Sequence, residues 1–318
     1  MREVFGPESN IRSIGANDGY FPRATSTLRR IHEERAVGLH YGQRALCIGA
    51  LSPLNYVGTT EHTAAKATPF KRLAHTANSF ETVMFGSAAE ADRVLDGVDR
   101  MHRRVNGTLP ETAGPYPAGT PYDAFDPMLV LCTVAVMMDS AECFYELLVR
   151  RLRDHERESL WQDYVRFGEL FGMSRDAAPQ TYPDFRAYYA RVLDSDELWL
   201  TDEARHVGHL TAFEIPMRGY MQPAKRVHDL IMLGSLPPQA RRMYGLRWTR
   251  AHALAFDVVT RAFRLAHPAL PANLARGSNR SVFDGVADIE AWRIATGRPT
   301  PQVAVPGGEG LSRAGGRG

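Results

Sequence analysis

Between Ser26 and about residue 266 the apolar side chains recur at three- and four-residue spacing, and period-two alternation flanked by turn residues is scarce. This restricts the chain to helices packed on helices, because a half-buried strand needs apolar side chains at every second position. Leu28, Ile31, Arg35 and Leu39 keep the helical spacing, and Tyr41 to Val57 is apolar nearly all round, as a buried helix is. Pro69 opens a helix with Leu73, Thr76, Phe80 and Val83 on one face, which Gly86 ends. Ser87 followed by Glu90 is a capping box whose helix runs to about Val105, before Asn106-Gly107. A loop rich in Gly, Pro, Thr and Tyr covers 107–126. Asp126-Pro127 then opens the most apolar helix, reaching about Arg153. Further helices are predicted near 157–172, 183–194, 202–215, 219–233, 237–244 and 247–266.

A length of 318 residues allows two domains, but no Pro/Gly/Ser linker interrupts the middle of the chain. The expectation is a loose arm at 1–20, one all-α domain over 21–297 and a disordered Gly/Pro-rich tail at 298–318. With 44% hydrophobic and 23% charged residues the composition is that of a soluble globular protein. A net charge of +2 supplies no drive towards nucleic acid. Three cysteines, Cys47, Cys132 and Cys143, without a CxxC, argue against a disulfide framework and for a reducing compartment. Met1 to Asn10 lacks the apolar core of a signal peptide, and the run Met128 to Met138 is about half the ~20 residues a bilayer crossing needs. A cytoplasmic protein with no membrane span is expected.

Phosphate-cradling GxGxxG and GxxxxGK[ST], the GxSxG elbow and HExxH are all absent. Chemistry is therefore sought among the eleven histidines. Leu95, Val98, His102 and Val105 repeat at i, i+3, i+7 and i+10, which places His102 on a core-facing stripe. From spacing alone it is either a hydrogen-bonded core histidine or a ligand. Arg72, His75 and Thr76 fall on adjoining turns of one face, where they either orient an anionic or oxygen species or form an ordinary helix edge. Asp202, Glu203, His206 and His209 include one Glu-x-x-His half of a di-iron site. Its second half is only Asp99-x-x-His102, and Asp139, Glu142 and Glu146 are the spare carboxylates.

At the Arg72 and His102 segments the chain resembles the haem-dependent oxygenases that include the latex-clearing protein, a rubber oxygenase, and the MpaB-type oxygenase of mycophenolic acid biosynthesis. The matching stretches are Phe70 to Thr76, Val83 to Gly86, Val98 to Gly107, Tyr122 to Pro127, Tyr164 to Gly172 and Leu236 to Leu246. In order they span most of residues 35 to 275. The resemblance implies a single large multi-helix domain with one non-covalent b-type haem buried between helices. It makes His102 the proximal iron ligand, its other nitrogen bonded to a carbonyl, and Arg72, His75 and Thr76 the distal, catalytic group, with Arg72 and Thr76 also contacting the cofactor. His75 stands where the latex-clearing branch has lysine, as a distal iron ligand or a hydrogen-bond donor. Glu61 is the nearest counterpart of that branch's glutamate base. The implied reaction joins dioxygen to a hydrophobic, isoprenoid-like or other alkene held in an apolar channel beside helix 127–150, with cleavage of the C=C bond. The alternatives are a haem-dependent peroxidase or dehydrogenase, a non-catalytic helical protein binding haem or an apolar ligand, and a di-iron enzyme.

Overall fold

Ser26 caps the first helix, α1 (Thr27–His32), its hydroxyl accepting the Arg29 N–H. This is a computed structural model that describes residues 18–61 and 68–298, with backbone alone at 59–61. The expected arm and tail lie almost wholly outside the described residues. A short α2 (Arg35–Gly38) leads to α3 (Tyr41–Gly49) and α4 (Pro53–Glu61), which replace the single helix expected over Tyr41 to Val57. Pro53 explains the break: it has no N–H to continue the ladder, yet it suits the first turn of a new helix.

The next two helices, α5 (Pro69–Phe85) and α6 (Ala88–His102), form an antiparallel hairpin joined by two residues. Its closed end is built as the sequence predicts. Glu90 accepts the Ser87 N–H at 2.9 Å while the Ser87 hydroxyl accepts the Glu90 N–H at 3.3 Å. A Cβ on Gly86 would stand 2.7 Å from the Thr82 carbonyl oxygen, so glycine is needed where α5 stops. Inside the predicted loop, β1 (Asn106–Thr108) and β2 (Pro121–Asp123) pair antiparallel. Only Tyr122 of the six is buried, so the ribbon is too short to carry a readable alternation.

Asp126 caps α7 (Pro127–Leu148), its carboxylate accepting the Met128 N–H at 2.8 Å. By length and composition α7 is apolar enough to cross a bilayer, but most of that stretch is buried inside the protein, as in a core helix. It is followed by α8 (Asp154–Leu170), α9 (Tyr182–Leu193), α10 (Asp202–Phe213), α11 (Gln222–Ser235), α12 (Pro238–Met243) and α13 (Arg250–Ala266). These lie within a few residues of their predicted bounds. α7 contacts α1, α2, α3, α4, α8 and α13, and its Val134, Met138, Ala141 and Phe144 share one apolar core with Leu28, Ile48, Trp161 and Tyr164. A stub, α14 (Ala272–Ala275), and a full helix, α15 (Arg280–Ala295), complete the described chain. α15 has no counterpart among the predicted helices. Val282, Trp292 and Ile294 are exposed while the acid Glu290 is buried, which erases the usual apolar face.

Candidate functional site at the open end of a helical hairpin

The α5–α6 hairpin brings the predicted site residues to one end. At ~1.5 Å of rise per residue, Arg72 and His102 both lie about 20 Å from the closed end, and His75 one turn nearer. Along α6 burial falls in that direction, and on α5 one face opens while Phe70 and Ala74 stay buried. Val83 is fully buried, Phe80 half-buried and Thr76 exposed; on α6, Ala91 is fully buried while Leu95, Val98 and His102 are half-buried. Part of each helix face is thus only half-covered at the open end, beside the buried Phe70 and Ala74.

His102, on the last turn of α6, has its pKa lowered from the ordinary imidazole value by burial, against a small opposing pull from Asp99. It is therefore neutral at neutral pH. Among the described residues neither ring nitrogen makes a hydrogen bond, so the expected carbonyl partner is not found. The ring is held instead by Phe125, edge-on at 6.0 Å between centroids. Asp99 does not reach it because Arg103 occupies both carboxylate oxygens, at 2.8 and 3.2 Å.

Arg72 is half-buried and its pKa is lowered by burial. Among the described residues it has no carboxylate partner. Its electrostatic neighbour is Tyr56 of α4, whose own pKa is raised by burial and then by Glu203, with Arg72 opposing. The Tyr56 hydroxyl donates to the Glu203 carbonyl at 3.3 Å, tying α4 to α10 beside Arg72. Sequence reasoning missed Tyr56 because both its neighbours are remote in the chain. His75 is half-buried on the next turn, and Thr76 is exposed. The side chain of Glu61 lies outside the described residues.

The di-iron arrangement is not assembled. Asp139 is paired with Arg44 at 2.7 Å and with Arg186. Glu142 accepts from Arg157 at 2.9 Å and from Tyr182 at 2.7 Å, and Glu146 is paired with the same Arg157. Asp202 faces Arg205, and the His209 ring packs on Phe213 at 5.2 Å. Among the described residues no three of His, Cys, Asp or Glu stand together as a metal site.

A half-buried, neutral, unpartnered imidazole suits a soft-metal or haem-iron ligand, since its lone pair is available without losing a proton. A desolvated guanidinium without a carboxylate suits an anion, such as a propionate or a developing oxyanion. These are the donor types a haem would need, an imidazole for iron and a guanidinium for a propionate.

Residues 29–265 match the family described as ER-bound oxygenase mpaB/B'/Rubber oxygenase, catalytic domain. The chain is 25% identical over 205 residues to an uncharacterized protein of Mycobacterium tuberculosis and to one of Mycobacterium bovis, covering 64% of this chain and 76% of each relative. No solved structure gives a significant match.

Proposed function

From the chain's membership of the family of mpaB-type ER-bound oxygenases and rubber oxygenases, we propose that this oxidoreductase is a haem b-dependent oxygenase acting with dioxygen on a hydrophobic alkene. The observation that supports the reading is that His102, on the last turn of α6, and Arg72, in the first turn of the antiparallel α5, are both half-buried with no hydrogen-bond or carboxylate partner among the described residues. Haem, when bound, supplies the iron chemistry by which dioxygen attacks a C=C bond and gives carbonyl products.

In this reading His102 would hold the iron, with the Phe125 edge packed against its ring. Arg72 offers fixed positive charge to a propionate or to negative charge developing on oxygen, in a setting where burial strengthens the interaction. His75 and Thr76, on adjoining turns, donate hydrogen bonds to the same region. Tyr56 sets the height of Arg72 by anchoring α4 to α10. The half-buried Phe80, Leu95 and Val98 offer apolar surface to a flat macrocycle or an uncharged substrate. A reducing, cytoplasmic setting belongs to the same proposal.

The histidine at position 75 favours one second reading, peroxide-dependent oxidation, because an imidazole can move the proton that O–O cleavage requires. Turnover with dioxygen alone supports the oxygenase; turnover that needs peroxide and ignores dioxygen selects the second reading. The haem assignment itself is tested by the visible spectrum after haem supplementation. Wild-type protein should give a Soret band, and His102→Ala should lose it or shift it.

A further inference from the structure

The first turn of α5, which carries Arg72, is not capped by its own chain neighbours. Pro69 has no N–H, and the N-cap residue Thr68 contributes no side-chain hydrogen bond. The two free donors that follow, the Phe70 and Lys71 N–H groups, are taken by Glu290 of α15, at 3.1 and 2.9 Å through its two carboxylate oxygens. Glu290 is almost wholly buried, and the cap it forms lies immediately before Arg72. Its charge also sits at the positive end of the α5 dipole.

The contact is one of a series. Val286 packs against the Phe70 and Leu73 cluster, Asn78 donates to Asp284 at 3.0 Å, and Glu81 accepts the Asn279 N–H at 2.8 Å and the Ser278 hydroxyl. The segment 278–290 therefore holds α5 along its length, from residue 70 to residue 81. All of it lies beyond residue 265, where the family match ends.

We propose that α15 is a clamp on α5, with Glu290 as a positioning residue that fixes the turn bearing Arg72 and His75. The site would then be completed by a segment outside the catalytic domain that defines the family. The consequence for catalysis rests on the reading that Arg72 and His75 face the reaction; the clamp itself does not.

Two measurements on the full chain separate these levels. In hydrogen exchange without haem, Glu290→Ala should speed exchange of the first described turn of α5 by about tenfold or more, with the Ser87–Ala91 turn unchanged. Glu290→Gln, which keeps an acceptor oxygen and guards against a variant that fails to fold, should fall between Ala and wild type. Unchanged exchange in Glu290→Ala, or a uniform loss of protection over all helices, would overturn the clamp. In haem-loaded, dithionite-reduced protein, Glu290→Ala should keep the Soret band and shift the C–O stretch of added carbon monoxide, with Glu290→Gln partly restoring it. An unshifted stretch contradicts the positioning role. A wild-type chain without a Soret band removes the functional reading, and the exchange data still decide the clamp.

Discussion

The interior around α7 and the open end of the α5–α6 hairpin treat desolvated polar groups in opposite ways. Along α7 each buried carboxylate is paired: Asp139 with Arg44 and Arg186, Glu142 with Arg157 and Tyr182. Burial works against the Asp139 carboxylate, yet the two arginines hold its pKa below the usual range. Three buried histidines follow the same rule. His32 hydrogen-bonds Tyr164 at 2.7 Å, His40 the Ala36 carbonyl at 2.7 Å and His228 the Ala212 carbonyl at 3.1 Å. At the hairpin's open end, Arg72 and His102 are desolvated without such partners among the described residues. In the proposed reading, the places left open at Arg72 and His102 are where a ligand would bind.

The contrast predicts where substitutions fall on stability and where on function. Asp139→Ala leaves Arg44 buried without its main counter-charge, and should cost about 3–5 kcal/mol in denaturant unfolding. A loss under 1 kcal/mol would mean that the network adds little to the fold. The partnered histidines set a pH dependence. Burial holds His32 and His40 down to about 3 and His228 to about 4, against 6.5 in the unfolded chain. Below pH 6.5 the unfolded chain therefore takes up protons that the folded chain refuses. Stability is retained above that pH and falls through the window down to about pH 4, by about 1.4 kcal/mol per pH unit for each histidine. His228→Gln should flatten the slope of unfolding free energy against pH by about one such unit; an unchanged slope removes His228 from the account.

Arg72→Met should change stability least, within about 0.5 kcal/mol, because no carboxylate among the described residues loses its partner. Turnover should nevertheless fall by about 100-fold, the cost of removing one donor to developing charge. If Arg72→Met destabilised the protein as Asp139→Ala does, the two regions would not differ in kind.

Local signals made much of this legible before any coordinates. Pro69, Gly86, the Ser87–Glu90 box and Asp126-Pro127 are contiguous in the chain, and the hairpin and α7 begin or turn where those residues demand. His102 was legible as a position, because helical spacing set it on a stripe. Its lack of a hydrogen-bond partner among the described residues was not, since that depends on how the chain folds back to Phe125. Tyr56 and Glu290 left no mark at all. Tyr56 acts between Arg72 and Glu203, and Glu290 caps a helix some 220 residues earlier, so neither has a local pattern. The break at Pro53 carried a signal in its proline, but the apolar character on both sides concealed it.

The central proposal is that His102 holds haem iron. The most direct test is a haem titration of wild type and His102→Ala, read as ferric and as dithionite-reduced, carbon monoxide-treated spectra. The account predicts stoichiometric binding with a Soret band in wild type, and in the variant weak binding or a spectrum without a proximal imidazole. Identical spectra and affinity in the two proteins would contradict it.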